Sequence, residues 1–204
     1  MSTDSVLIRG LLIEGIGTGL SGIKVNSGGA VHVENCTINN FTGNGIDFEP
    51  NAASGVSKLF VKNTIIRRQG NFGILIKPLG GVSASASIDA TQLENNLSGL
   101  RAEDLSTVVF RDGIANLNTN NGFLAFSSSL KTLLTLENSV ADGNGQFGVV
   151  AVGGGAAIQI SNVTSTANGT GLSAQTAAQI ISFGNNRVDG NGTNGSPTST
   201  PGQI

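Results

Sequence analysis

The chain has 204 residues, which is enough for one domain with a sizeable core. Its 13 acidic and 11 basic side chains give a formal charge of −2, so no basic surplus indicates a nucleic-acid partner. Charged residues make up only 12% of the chain, against about 25% in ordinary domains, while glycine reaches 30 residues and tryptophan and tyrosine are missing. This composition is typical of a β protein that is rich in turns.

The single cysteine, Cys36, excludes a disulfide within the chain. Its apolar neighbours predict a buried side chain rather than a reactive thiol. No stretch of 18 apolar residues predicts a transmembrane segment, and the first residues, MSTDSV, lack the basic and apolar regions of a signal peptide. We expect no insertion into a membrane, and if the natural protein is exported, its signal lies outside this sequence.

A unit of about 25 residues repeats along the chain. Each unit reads as a short strand, a first corner, a few extended residues, an Asn-Gly corner, a second strand and a loop of variable length. The first-corner residues, spaced by 22 to 28 positions, are Gly10, Asn35, Asn63, Ala90, Asp112, Asn138, Asn162 and Asn185. Six residues later a second column holds Gln69, Asn96, Asn118, Asn144, Asn168 and Asn191. A glycine follows three or four residues further on, at positions 73, 99, 122, 148, 171 and 195.

The strands of each unit place apolar residues on one face. In the first strands these pairs are Val31 and Val33, Leu59 and Val61, Ala86 and Ile88, Val108 and Phe110, Leu134 and Leu136, and Ile158 and Ile160. The second strands supply Ile46 and Phe48, Ile74 and Ile76, Phe123 and Ala125, and Val149 and Ala151. Because so short a unit cannot bury its face alone, the units must stack as parallel coils about 4.8 Å apart. The pattern predicts an all-β, single-domain β-solenoid of about eight coils, in which Asn tolerates left-handed corners and forms hydrogen-bonded ladders.

The residues just before the first corner alternate in charge over six coils. They are Arg9, Glu34, Lys62, Asp89, Arg111 and Glu137. Opposite charges on adjacent strands attract, each pair by roughly 0.2–1 kcal/mol, so this alternation favours the register above.

The Asn and Gly-Ile positions resemble those of right-handed parallel β-helix repeat proteins of the pectin-lyase-like superfamily, in particular its uncharacterised bacterial members. The resemblance covers roughly residues 5 to 195, and it implies a right-handed solenoid and an extracellular or cell-surface location. It implies no single activity, because that superfamily contains lyases, hydrolases, epimerases and inert stalks. We therefore divide the chain into a β-helix at 1–195 and a tail rich in Pro, Ser and Thr at 196–204, which either folds over the final coil or stays disordered.

Four charged residues on neighbouring second strands form a candidate catalytic set: Asp47, Glu49, Lys77 and Arg101. The two carboxylates are two residues apart on one strand, hence about 7 Å apart on one face, which suits an acid and base pair. The two cations are suited to an anionic sugar. However, Glu49, Lys77 and Glu103 also alternate in charge, and the sequence favours a solvated column over a catalytic one. The single histidine, His32, is predicted to lie in an outward column with Leu7 and Phe60, and we interpret it as a surface residue.

Outward positions of the second strands become apolar in the middle coils, at Leu75, Leu124, Phe126, Val150 and Val152. Such a patch predicts an interface, either for self-association or for a covering loop. Open solenoid ends also present unpaired strand groups, so we expect further coils in a longer protein or end-to-end association.

The sequence favours a non-catalytic β-solenoid that serves as a structural scaffold or as a binding or assembly module. The alternative is a carbohydrate-active enzyme, either a polysaccharide lyase or a glycoside hydrolase, that acts on an acidic polysaccharide. Polysaccharide and further copies of the chain are the expected partners. We expect no cofactor and no metal, because the Asp-Gly-Asn-Gly segments at 142–145 and 189–192 lack the later Glu of a calcium loop.

Overall fold

The computed structural model describes residues 4–51 and 55–202, which form three parallel β-sheets. The first sheet contains β1 (Ser5–Arg9), β4 (Ala30–Glu34), β7 (Val56–Lys62), β10 (Ser83–Asp89), β13 (Ser106–Arg111), β16 (Thr132–Glu137), β19 (Ala156–Ser161) and β22 (Gln179–Ser182). The second sheet contains β2 (Leu12–Glu14), β5 (Thr37–Asn39), β8 (Ile65–Arg67), β11 (Gln92–Glu94), β14 (Ile114–Asn116), β17 (Val140–Asp142), β20 (Thr164–Thr166) and β23 (Arg187–Val188). The third sheet contains β3 (Ile23–Val25), β6 (Ile46–Phe48), β9 (Phe72–Ile76), β12 (Ser98–Ala102), β15 (Asn121–Phe126), β18 (Phe147–Val152) and β21 (Thr170–Gln175).

Each turn of the chain adds one strand to each sheet, which confirms the predicted parallel β-solenoid. Seven turns have all three strands, and β22 and β23 continue an eighth. The few extended residues between the two corners form the short strands of the second sheet. Each turn therefore has three strands where the sequence predicted two, and the predicted second strands are those of the third sheet.

The predicted register of the first sheet is confirmed. Arg9 lies opposite Glu34, and Glu34 lies opposite Lys62. The same alignment continues through Asp89 and Arg111 to Glu137. Two of these neighbours form ion pairs, Arg9 with Glu34 at 2.5 Å and Arg111 with Asp89. The alternating column is thus a row of opposite charges on adjacent strands.

The core is a single stack of inward side chains that runs along the solenoid axis. Phe110 of the first sheet and Phe123 of the third contact each other edge to face, with ring centroids 4.8 Å apart, and both are fully buried. Cys36 is also buried, as predicted. Because every turn places equivalent side chains over those of the previous turn, burial of apolar surface is continuous along the chain.

The first corner is a column of left-handed residues. Asn35, Asn63, Asn138 and Asn162 have φ angles between 47° and 53°. Asn and Gly adopt this conformation at the lowest cost among the amino acids, which explains the composition of the column. At the second corner the left-handed residue is the one that immediately precedes each column residue in the chain. An example is Leu117, which precedes Asn118 and has a φ angle of 53°.

The second column forms the predicted asparagine ladder inside the corner. Oδ1 of each residue accepts the backbone N–H of its counterpart one turn earlier, and Nδ2 donates to a backbone carbonyl of the previous turn. The donor and acceptor residues of these bonds, in that order, are Gln69 and Asn96, Asn96 and Asn118, Asn118 and Asn144, Asn144 and Asn168, and Asn168 and Asn191. Four of these amides, those of Asn96, Asn118, Asn144 and Asn168, are at most 3% exposed. A buried polar group is costly unless it is bonded, and here the ladder satisfies it.

The glycines after the ladder are required by close packing. A Cβ on Gly122 would lie 2.7 Å from the carbonyl oxygen of Gly148 and 2.9 Å from Nδ2 of Asn144. The sequence predicted that the glycine column continues to Gly195, but in the structure it ends at Gly171. Thr193 pairs with Thr170, so Asn194 lies where the next glycine was expected.

The predicted tail begins beside the last turn. The N–H of Thr198 donates to the carbonyl of Ile180, and the N–H of Ser182 donates to the carbonyl of Ser199. These residues extend the first sheet beyond β22 by one short bridge.

Candidate functional site

The outward side chains of the third sheet form a column that contains the candidate residues. We call it the outer column, and it holds Lys24, Asp47, Leu75, Arg101, Leu124, Val150 and Ser173 in register. Asp47 is 5% exposed and Val150 only 2%. In the corresponding outward column of the first sheet, Phe60 is 36% exposed. Asp47, Leu75, Leu124 and Val150 of the outer column are therefore buried although they point away from the core, whereas Lys24 at its end is exposed.

The outward apolar residues of the third sheet are mostly buried within a single chain. Leu75 and Leu124 are each 7% exposed and Val150 is 2% exposed within a single chain. Only Phe126 and Val152 are half-buried. The sequence could show that these residues point away from the core, but not that neighbouring side chains enclose them. Their role in an interface stays a prediction.

At the N-terminal end of the outer column, one ammonium group holds both predicted catalytic carboxylates. Nζ of Lys24 lies 3.0 Å from Oδ2 of Asp47 and 2.9 Å from Oε2 of Glu49. The Ser21 hydroxyl also donates to Oδ2 of Asp47, at 3.4 Å. The hydrogen bond to Glu49, and to a smaller extent the one to Asp47, raises the pKa of Lys24 above its ordinary value. The lysine therefore stays protonated at neutral pH.

The sequence interpretation did not include Lys24. The register predicts its position, because Lys24 lies directly opposite Asp47 one turn earlier. Its three-residue strand, β3, is too short to stand out as a repeat by itself. The alignment of Ile23 with Ile46 was the signal that could have revealed it.

Arg101 lies two turns beyond Asp47, with Leu75 between them, hence about 10 Å away along the sheet. Its guanidinium carbon is 5.3 Å from the centroid of the Phe72 ring and 4.7 Å from that of the Phe126 ring. Its Nε lies 2.6 Å from Oε1 of Glu103. Arg101 is thus held between two aromatic rings and paired with a carboxylate of its own turn.

Lys77 lies just after β9, one turn of the solenoid beyond Glu49. Its N–H donates to the carbonyl of Phe48, and the N–H of Glu103 donates to the carbonyl of Ile76. This backbone pattern extends the register of the third sheet past its strands. It places Lys77 between Glu49 and Glu103, as the predicted alternating column requires.

His32 lies on a different face from these residues. Its ring stacks on that of Phe60, with centroids 4.6 Å apart and planes 15° from parallel. The register places it between Leu7 and Phe60 in the first sheet, as predicted. It is therefore separate from the carboxylates of the third sheet.

Within residues 4–51 and 55–202, no group of three or more His, Cys, Asp and Glu side chains is placed to hold a metal ion. In the same residues, no helix combines the length and the hydrophobicity needed to cross a bilayer.

Comparison with known proteins assigns the family. The family described as right-handed β-helix region matches residues 1–165, and the chain belongs to it. The solenoid is accordingly right-handed, as the resemblance implied. Comparisons with curated proteins and with solved structures gave no significant match.

Proposed function

We propose that this β-solenoid is a non-catalytic scaffold or binding module that acts outside the cell or on its surface. One observation carries the proposal: three of the four candidate catalytic side chains, those of Asp47, Glu49 and Arg101, form ion pairs within the chain. Lys24 bonds to both Asp47 and Glu49, and Arg101 pairs with Glu103. The proposed location rests on the family resemblance.

The geometry around Lys24 supports this proposal. Two carboxylates that cleave a glycosidic bond need the substrate oxygen, and in some enzymes a water, between them. Here Nζ of Lys24 occupies the space between Asp47 and Glu49. A lysine that abstracts a proton needs a lowered pKa, whereas the pKa of Lys24 is raised. Neither the carboxylates nor the lysine are therefore poised for acid and base catalysis.

The groups around Arg101 support binding instead. Nε of Arg101 is paired with Glu103, and an anionic ligand would bind the remaining N–H groups of the guanidinium, which the rings of Phe72 and Phe126 hold in place. We propose acidic polysaccharide as the ligand class.

The second candidate function is cleavage of an acidic polysaccharide, and one observation favours it. Oδ1 of Asp47 is buried and has no hydrogen-bond partner in the described part of the chain. Such an atom is costly to bury, so it can mark a position where a ligand completes the bonding. Asp47, Glu49, Lys77 and Arg101 would then form the working face.

The test is incubation with polygalacturonate, alginate and glucans, with detection of unsaturated and reducing ends. We expect no product from the wild-type chain. Product that disappears in Asp47→Asn and Glu49→Gln would establish the second candidate. Product that persists in both variants would also overturn the scaffold proposal, and would place an active site elsewhere.

Binding is tested separately by affinity electrophoresis in gels that contain polygalacturonate. We expect Arg101→Gln to abolish the retardation of the wild-type chain. The matched control is Arg111→Gln, which removes an exposed guanidinium from the first sheet. Equal loss in both variants would show a general charge effect and would contradict a site at Arg101.

A further inference from the structure

The outward face of the first sheet is an exposed and regular surface. Its eight strands pair in one continuous register, so the outward side chains form three parallel columns along the solenoid. In the middle column Phe60 is 36% exposed, whereas Leu75 and Val150, which point outward from the third sheet, are 7% and 2% exposed. The first sheet is therefore the more accessible of these two faces.

The charge column of this face contains two side chains that are not paired within the chain. Asp89 and Arg111 form an ion pair near its centre. Lys62 lies one turn before this pair, and Glu137 lies one turn after it. In the described part of the chain, neither the ammonium of Lys62 nor the carboxylate of Glu137 forms an ion pair or a hydrogen bond. Each is therefore available to an opposite charge from outside the chain.

A column of alternating charge is complementary to its own reverse. A two-fold axis that lies between two facing sheets, parallel to their strands, keeps the strand direction but reverses the order of the turns. With the axis between Asp89 and Arg111, Lys62 of each copy faces Glu137 of the other. Asp89 of each copy then faces Arg111 of the other. One symmetry operation therefore places unlike charges opposite each other at all four positions.

We propose that two copies of this chain pack face to face through their first sheets, with the solenoid axes antiparallel and the two-fold axis between Asp89 and Arg111. This inference deepens the proposed scaffold function, on which it rests, by naming a second copy as the partner. The chain's own charges supply the missing partners of both Lys62 and Glu137. Because the net charge is only −2, the two copies repel each other little.

The middle column of this face fits the same axis. Phe60 of each copy faces Thr135 of the other, and Ser87 faces Val109. The largest ring of the column thus meets a smaller side chain, and small side chains meet next to the axis. This arrangement lets the two sheets approach to about 10 Å, the usual spacing of packed sheets.

The size of the face suits a weak but specific dimer. Eight strands about 4.8 Å apart make it about 34 Å long, and three outward columns make it about 15 Å wide. Two such faces bury about 1,000 Å² in total, which is the lower limit of a specific protein interface. At one edge Lys58 faces Leu133 of the other copy, where its ammonium stays in water.

The first test measures mass by sedimentation velocity over a range of concentrations. We expect the wild-type chain of 20.6 kDa to be in equilibrium with a dimer, and 1 M salt to weaken the dimer. Lys62→Glu places a carboxylate against Glu137 of the other copy at both symmetric contacts. This variant, and likewise Glu137→Lys, should raise the dimer dissociation constant by about tenfold or more.

Mixing the two variants tests the register of the contact. In a mixed dimer the new carboxylate of one chain faces the new ammonium of the other, and the second contact joins the unchanged Lys62 and Glu137. We expect an equimolar mixture of Lys62→Glu and Glu137→Lys to dimerise nearly as well as the wild type. Association on mixing also shows that both variants keep their fold. A mixture that stays monomeric would overturn the proposal.

The matched control is Arg68→Glu. Arg68 is an exposed cation at the second corner of the turn that contains Lys62, and it lies outside the first sheet. We expect this variant to dimerise as the wild type does. A wild-type chain that is monomeric at all concentrations, or a loss of association in Arg68→Glu equal to that in Lys62→Glu, would overturn the proposal.

The second test uses a carbodiimide, which joins an amine directly to a carboxylate. Within one chain Lys62 and Glu137 lie three turns apart, hence about 14 Å, which is too far for a direct amide bond. Cross-linking of a mixture of isotopically light and heavy chains should therefore join Lys62 of one to Glu137 of the other, as identified by peptide mass spectrometry. A cross-linked dimer without this bond would overturn the proposed register.

The failure of this inference differs from the failure of the scaffold function. A wild-type chain that is monomeric and yields no saccharide product overturns the inference alone. Product formation overturns the scaffold function and leaves the measured mass unchanged.

Discussion

Asn144 and Asn168 lie one above the other inside the second corner, with Nδ2 of Asn144 2.8 Å from Oδ1 of Asn168. The same Oδ1 accepts the backbone N–H of Asn144 at 2.9 Å. Nδ2 of Asn144 also donates to the carbonyl of Ala115 at 3.0 Å. One buried side chain thus satisfies the polar groups of a corner that packing has closed to water. This explains why the chain repeats Asn there in five consecutive turns.

The ladder leads to a stability prediction. Asn144→Ala removes the acceptor for the N–H of Asn118 and the donor to the carbonyl of Ala115. Both backbone groups are then left unpaired in a buried corner, so we expect unfolding free energy to fall by about 2–4 kcal/mol. The control is Asn138→Gly, at an exposed corner with φ of 47°, where we expect a loss below about 1 kcal/mol. Urea unfolding followed by circular dichroism measures both, and equal losses would contradict a special role for the ladder.

The glycine column leads to a second prediction. Gly122→Ala forces a Cβ against the backbone oxygen of Gly148 at 2.7 Å, and the fixed solenoid spacing prevents relief. We expect a loss of about 1–3 kcal/mol, as for other overpacked sites. Gly154→Ala serves as the control, because the nearest atoms to its added Cβ lie 4.0 Å away. Thermal unfolding of the two variants should differ clearly, and a stable Gly122→Ala would show that the coils can separate locally.

The charge column of the first sheet leads to a third prediction. Glu34→Lys places a cation between Arg9 and Lys62, so attraction on both sides becomes repulsion. These side chains are partly exposed, and we expect a loss of about 1 kcal/mol that shrinks in 1 M salt. Glu34→Gln, which removes the attraction only, should cost less. If both variants unfold at the same urea concentration, the column does not help to fix the register.

Asp104 leads to a prediction about pH. Burial alone would raise the pKa of this carboxyl, but hydrogen bonds from the Ser128 hydroxyl and from the N–H groups of Leu130 and Ser128 hold the pKa below its ordinary value. A lowered native pKa stabilises the fold above the ordinary value, and that contribution is lost as pH falls through the native pKa. We therefore expect the loop at 127–131 to loosen below pH ~4.

Hydrogen exchange of the Ser128 and Leu130 amides measures this effect. Asp104→Asn should lower the protection factors of these amides at neutral pH and abolish the further loss of protection in acid. The amide of Asn144, which bonds to Oδ1 of Asn168 in the ladder, provides an internal reference. Protection factors of Ser128 and Leu130 that stay unchanged below pH ~4 in the wild type would contradict the assignment.

Among the candidate site residues, the sequence correctly placed Asp47 and Glu49 on one face, because side-chain direction alternates along a strand. It did not show that Lys24 lies between them, since the position of a long side chain depends on its neighbours in the adjacent turn. It also did not show that Leu75 and Val150 are enclosed. Direction is a local property of the backbone, whereas exposure depends on flanking side chains from several turns.

The sequence by itself determined the coil length, the corners and the register. A stacked solenoid repeats one local solution, so residues such as Arg9 and Glu34 become neighbours whenever the period is read correctly. The tertiary structure alone decided which outward surface is closed. The enclosure of Leu75 depends on the side chains that adjacent turns place around it, and the repeat by itself does not specify those contacts.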